Sequence, residues 1–240
     1  MRQCVARGPR SGRYLTTFGQ VAIVSDESGD KPGVRRAARA ALRAMSPARF
    51  ASESAAVCRR IITGAWWSGD TAAGAVMLYW PMPGEVDVGD LARAALKAGR
   101  VVCLPRVNWG ESQMMPRAVR EWGVGLEDAG RGVMQPGAEA PAVNLGDLSL
   151  VIVPGVAFDP ACFRVGRGGG FYDRFLAIPQ LRAACIGAAF DEHMVAIVPR
   201  EPHDARLDGV VTPTRQWTAK KDRNHTRLGE PFHRRQDSKD

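Results

Sequence analysis

The residues that could do chemistry run from Pro154 to Asp173. They read PGVAFD and then, after four residues, RVGRGGGFYD. Gly166, Gly168, Gly169 and Gly170 place four glycines within five residues, after an apolar run and before a short helical pattern. Such a loop lets backbone N–H groups converge on an anion, and Arg164 and Arg167 add forked donors suited to phosphate oxygens. Phosphate binding is the chemistry this implies. The spacing is neither that of the GxxxxGK[ST] loop nor that of the dinucleotide GxGxxG. A flexible surface turn is the alternative reading of the same glycines.

No other cluster competes with it. Cys4, Cys58, Cys103, Cys162 and Cys185 are odd in number and scattered, which suggests neither a disulfide framework nor a zinc site and fits a reducing cytoplasm. His193, His203, His225 and His233 form no HExxH or paired-ligand pattern. No Ser/His/Asp or Cys/His arrangement is recognisable, so covalent catalysis is not expected. The formal charge of +8 raises the question of nucleic acid, but residues 1–30 and 218–240 hold 11 basic against 7 acidic groups, half of the excess. No basic patch interleaved with aromatic residues supports a nucleic-acid partner. No apolar run approaches the roughly 18 residues of a membrane span.

The elements that must position the glycine loop follow from periodicity. Val34 to Ala44 is an Ala/Arg/Leu helix, and Ser46-Pro47 forms an N-cap with Pro at the first position of a second helix, ending near Ile62. Ala75 to Tyr79 reads as a buried strand. Asp87 or Asp90 caps a helix through Leu96 that Gly99 ends, and Val101 to Pro105 is the next strand. Residues 108–148 are rich in Gly, Pro, Met and Trp and read as long loops with short strands. Leu148 to Val153 is a nearly continuous apolar strand, Tyr172 to Ala177 a short helix and Ala183 to Ala189 a further strand. Fully apolar strands alternating with helices predict a mainly parallel sheet covered on both faces. Residues 1–30 read as a flexible extension, 31–217 as one domain, and 218–240 as a charged, disordered tail.

The string PGVAFD followed by RVGRGGGFYDR resembles the signature of the 5-formyltetrahydrofolate cyclo-ligase family, PG-x-x-F-D and then RLGRGxGYYD. Val165 stands for Leu and Phe171 for the first Tyr, which removes a hydroxyl. The resemblance extends from Lys31 to Thr212. It places Lys31 and Arg35 where the family's N-terminal helix carries a Lys and, four residues on, an Arg that contact ATP phosphates. Only Lys31 and Lys97 lie between the tails, so a Lys at that position is not the default. Tyr79 to Val86 resembles the folate segment, with Glu85 in the place of the acid that binds the pterin and Trp80 and Met82 as its apolar wall. A carboxylate accepts the pterin's adjacent donors in pairs. Val198 to Thr212 resembles the closing segments, with Asp208 and Asp173 matching the carboxylates associated with Mg²⁺.

The resemblance implies a three-layer α/β/α domain related to the ribose-phosphate isomerase and CoA-transferase-like group. It also implies an ATP- and Mg²⁺-dependent ligase of one-carbon metabolism that closes 5-formyltetrahydrofolate to 5,10-methenyltetrahydrofolate. ATP would contact Lys31, Arg35, Arg164, Gly166, Arg167, Gly168, Gly169, Gly170, Phe171 and Tyr172, with Arg167 and Tyr172 as the catalytic residues and Tyr172 at the junction of the two substrates. A cytoplasmic monomer with small-molecule partners is expected. The rival readings are a catalytically inactive folate-binding homologue, and a phosphosugar isomerase or transferase on the same architecture, which would need no ATP.

Overall fold

The structure is a computed structural model that describes residues 14–18, 21–25, 29–69 and 73–219, the first two segments as backbone only. Strands β1 (Tyr14–Phe18) and β2 (Val21–Ser25) pair antiparallel, so the segment expected to lack regular structure contains a hairpin. The tail expectation for Lys220 to Asp240 lies outside the described residues.

Helix α1 (Lys31–Leu42) begins three residues earlier than its periodicity suggests. Asp30 caps it by accepting from the Gly33 amide at 2.7 Å, and Pro32 sits in the first turn, where a missing N–H costs nothing. Helix α2 (Pro47–Ile62) starts on Ser46, whose hydroxyl accepts from the Arg49 amide at 3.3 Å. A single turn, α3 (Ala65–Ser68), leads toward β3 (Ala75–Met77). Helix α4 (Gly89–Lys97) has Val88 at its N-cap with no side-chain capping bond; Asp87 instead accepts from the Gly89 amide at 2.8 Å, and Asp90 lies in the first turn.

Next come β4 (Val102–Asn108), β5 (Gln113–Val119), β6 (Leu126–Asp128) and β7 (Met134–Pro136). The stretch read as long loops with short strands thus holds a seven-residue strand of the main sheet. The prolines disguise it: Pro105 and Pro116 face each other in the β4–β5 register, with β5 as the last strand of the sheet, the position where a missing ladder donor is tolerated. The chain continues through β8 (Leu148–Val153), β9 (Ala157–Phe158), β10 (Arg164–Val165), α5 (Phe171–Leu176), β11 (Ala184–Ala188), β12 (Gly209–Val211) and β13 (Gln216–Thr218).

The seven-stranded sheet has the order β13-β12-β11-β8-β3-β4-β5, parallel throughout except for its two outermost strands. Alternate residues of each strand serve opposite faces. Val76, Leu150, Ile152 and Ile186 pack with Val57 and Ile61 of α2 and Leu91 and Ala95 of α4. Met77, Val151, Val153 and Cys185 pack with Phe175 and Leu176 of α5. Elements on both faces give the three layers. Val34 and Ala38 of α1 lie against Ala157 and Val165, so α1 is fixed to the β9–β10 hairpin from which the glycine loop leaves. The Phe158 ring sits so close to Gly155 and Gly187 that a Cβ on either would come within 2.6 Å of it.

Strand order turns back between β3 and β8, since the chain runs outward from β3 to β4 and then returns to the other side of β3. Loops leaving two such strands diverge and open a crevice at their carboxyl ends. Tyr79 and Trp80 follow β3 there, and Pro154 and Gly155 follow β8.

Candidate active site

That crevice is a cavity of about 910 Å³, near the upper end of the roughly 300–1,000 Å³ usual for ligand sites. Beyond the strand ends, four segments line it: the start of α1, the β4–β7 region from Pro105 to Met134, the glycine loop with α5, and the loop 201–204.

Gly168 (φ +109°) and Gly170 (φ +64°) take conformations that a side chain would strain, and Gly170 is the N-cap of α5. Arg35 reaches over from α1 and donates from Nε to the Gly166 carbonyl at 2.8 Å, holding the loop on the helix. Arg174 donates to the carbonyls of Gly169 and Ser112 from the other side. Two of the loop's carbonyls, those of Gly166 and Gly169, are thereby turned toward arginines and kept from competing for an incoming anion.

Lys31 Nζ lies 2.7 Å from Asp204 Oδ1 and 2.9 Å from Glu201 Oε2. Burial is the largest influence on its pKa and lowers it, but the two carboxylates together outweigh burial and leave it raised. Lys31 is therefore a fixed positive charge at the mouth of the cavity. Glu201, His203 and Asp204 bring one ligand atom each within 4.8 Å of one another.

Arg164 is almost fully enclosed and pairs through Nη1 with Asp173 Oδ1 at 3.0 Å, an oxygen that also accepts from the Ala205 amide. Its guanidinium stands 5.7 Å from the Tyr172 ring centre. Among the described residues the buried Tyr172 hydroxyl has no hydrogen-bond partner, and burial, then the charge of Glu85, raise its pKa far above the ordinary range. It remains a neutral donor in the cavity wall, left for a ligand to use. Glu85 is 6% exposed, accepts from Arg167 Nε at 2.8 Å and from the Met82 amide at 3.0 Å, and so carries two of the roughly four bonds a carboxylate can accept. Arg167 also donates to the Pro83 carbonyl at 3.0 Å.

Of the residues expected from sequence, Lys31, Arg35, Trp80, Met82, Glu85, Arg164, Arg167, Gly166, Gly168 to Gly170, Phe171, Tyr172 and Asp173 all line this cavity. Asp208 does not. Its carboxylate accepts from the Cys185 amide at 2.7 Å at the start of β11, which ties down a strand end. The acid of that segment that reaches the cavity is Asp204, four residues earlier, with Glu201 beside it. Trp109 went unnoticed as well: it lies edge-on to Phe171 at 5.2 Å, under the Arg131 guanidinium, and donates to the Ala129 carbonyl. Only the unrecognised hairpin could have pointed to it.

With this geometry in view, comparison with known proteins decides the family. The model of the 5-formyltetrahydrofolate cyclo-ligase family matches residues 27–213. The chain belongs to that family. The 5-formyltetrahydrofolate cyclo-ligase of Mycolicibacterium smegmatis is 33% identical over 156 residues, 62% of this chain and 79% of that protein. The enzyme of Mus musculus is 25% identical over 190 residues, covering 75% and 92%. The solved structure of Aquifex aeolicus 5,10-methenyltetrahydrofolate synthetase matches with a TM-score of 0.67 and 25% identity, covering 86% of this chain and 98% of that one. Among the described residues of this cyclo-ligase family member, no helix is long and apolar enough to cross a membrane.

Proposed function

We propose that the cavity binds ATP and 5-formyltetrahydrofolate side by side and closes the folate to 5,10-methenyltetrahydrofolate, releasing ADP and phosphate. The observation that carries this is the pair Glu85–Arg167. It joins the acid-bearing pocket of Trp80, Met82 and Trp109 to the cationic loop of Gly166 to Gly170 within one cavity.

The formyl oxygen attacks the terminal phosphorus of ATP as ADP leaves. N10 then attacks the activated carbon, the C–O bond breaks, phosphate departs and N10 gives up its proton. An amide-like oxygen is a poor leaving group, and phosphorylation turns it into a good one. Lys31, Arg35 and Arg167 neutralise the phosphates, while the loop amides cradle the group in transfer. The Tyr172 hydroxyl supplies a donor where the substrates meet. Glu85 accepts the paired pterin donors with the oxygen capacity it has left. Positioning and charge neutralisation do the work, in keeping with a buried Cys162 whose thiol burial pushes up to about 11.

Magnesium fits the donor set. Asp173 spends Oδ1 on Arg164 and Ala205, which leaves Oδ2 for a hard cation; Glu201 and Asp204 lie in the same cavity but hold Lys31, which would have to turn to the phosphates before they could join. Bound there with phosphate oxygens, it would offset charge on the transferring group. The test is to mix protein, 5-formyltetrahydrofolate, MgCl₂ and ATP and follow the product's absorbance. Product that forms only with ATP supports the reading; folate binding without turnover would make the chain an inactive homologue, and turnover of a phosphosugar without ATP would replace the reading.

A further inference from the structure

A second cavity, of about 240 Å³, lies behind Arg167. It shares Gly155 and Arg167 with the main cavity and is otherwise lined by the last turn of α1 (Arg39, Leu42, Arg43), by Pro83 and Gly84, and by Val156 and His193. Its charge differs from that of the larger site. There, four carboxylates answer the cations; here three arginines line the wall and no Asp or Glu does. The side chains of Arg39 and Arg43 make no hydrogen bond or ion pair among the described residues. The end of α1 contributes only about half a negative charge through its carbonyls, which three guanidiniums outweigh.

The second observation is His193. It is 1% exposed, and its Nδ1 accepts from the Phe190 amide at 3.1 Å, so Nε2 carries the proton. Among the described residues, that Nε2–H has no partner that meets hydrogen-bond geometry. The Gly84 backbone, itself part of the cavity wall, is the polar group that interacts with the ring, and it favours the protonated form slightly while burial dominates. A buried N–H with at best a weak backbone partner, beside three cations, can donate to an incoming oxygen. A volume several times the roughly 30 Å³ of one water admits a carboxylate or phosphate group with hydration to spare.

We propose that this cavity is a subsite for a small oxyanion, held by Arg39, Arg43 and the Nε2–H of His193 against the back of Arg167. An anion there would also be shared with Arg167, which lines both cavities. Two sources carry this chemistry: inorganic phosphate from solution, and a carboxylate of the folate's glutamate end reaching past Pro83. The second source rests on the folate reading of the main cavity, and the first does not.

The experiment compares wild type with the double variant Arg39→Gln/Arg43→Gln, two surface changes outside the catalytic machinery, and with His193→Gln, which keeps an N–H donor, against His193→Phe. Titration calorimetry with inorganic phosphate reads the first source. Steady-state kinetics with 5-formyltetrahydrofolate, and with the truncated analogue that lacks the glutamate, read the second. A phosphate Kd raised about tenfold in the double variant and in His193→Phe, and close to wild type in His193→Gln, assigns the free anion. A KM raised about tenfold for the full substrate alone, at unchanged kcat, assigns the substrate's carboxylate. If neither quantity moves, the subsite does not exist. Should wild type turn over no folate at all, the cyclisation reading fails and the phosphate titration still decides this one.

Discussion

Replacing Glu85 with Gln keeps the side chain's length and its acceptance from the Met82 amide, but removes the charge that holds Arg167 Nε at 2.8 Å. Arg167 is a third exposed, so solvent screens that loss and the apoprotein is weakened by at most about 1 kcal/mol, a fall in Tm of roughly 2–4 °C for a chain of this size. The substrate complex is affected more. A carboxylate meets two adjacent pterin donors, whereas an amide turns an N–H toward one of them, forfeiting a charge-assisted bond worth about 1.5–3 kcal/mol. At 1.4 kcal/mol per factor of ten, kcat/KM for 5-formyltetrahydrofolate falls by about 10- to 150-fold. Most of this appears in KM for the folate, with KM for ATP nearly unchanged. The assay is product absorbance against varied folate at saturating ATP, with thermal melts alongside. If kcat/KM stays within about threefold of wild type while Tm falls, Glu85 is only a brace for Arg167 and the pterin role is refuted.

Lys31→Ala removes the fixed charge at the mouth of the cavity and is expected to raise KM for ATP by about tenfold or more, checked by varying ATP at saturating folate. Asp173→Asn and Asp208→Asn separate cavity from scaffold: a Mg²⁺ titration of activity should shift strongly for the first and not for the second, which instead lowers Tm as the bond to the Cys185 amide weakens. Burial holds His193 down at about 4 against an ordinary value near 6.5. Because the folded value is depressed, the stability it contributes is complete above about pH 6.5 and is lost as pH falls toward 4, up to roughly 3 kcal/mol. Melts between pH 7 and 4.5 should show this decline, and His193→Gln should flatten it.

The parts of the fold that could be read from sequence are those whose signal is local. The runs at Leu148–Val153 and Ala184–Ala188 are apolar throughout because both faces are covered, and Ser46-Pro47 marks the start of α2 without help from elsewhere. Strand β5 could not be read, because its pattern is set by pairing with β4 and its Pro116 argues against a strand until the edge position is known. The glycine loop and its arginines were legible by chemistry. Choosing between Asp204 and Asp208 was not, since two acids four residues apart differ only in which one a loop turns inward. His193 gave no sign of its burial, which comes from the rings of Phe158 and Phe190 arriving from other segments.

The Phe158 ring fills the space that side chains at 155 and 187 would need. Those three positions therefore form one unit of inheritance. A larger residue at either glycine is tolerated only after Phe158 has shrunk, and a shrunken residue 158 leaves a void beneath Gly155, at the floor of the crevice. Drift in this family should move all three together or none, and a designer wishing to reshape the cavity from below has a single lever there rather than three.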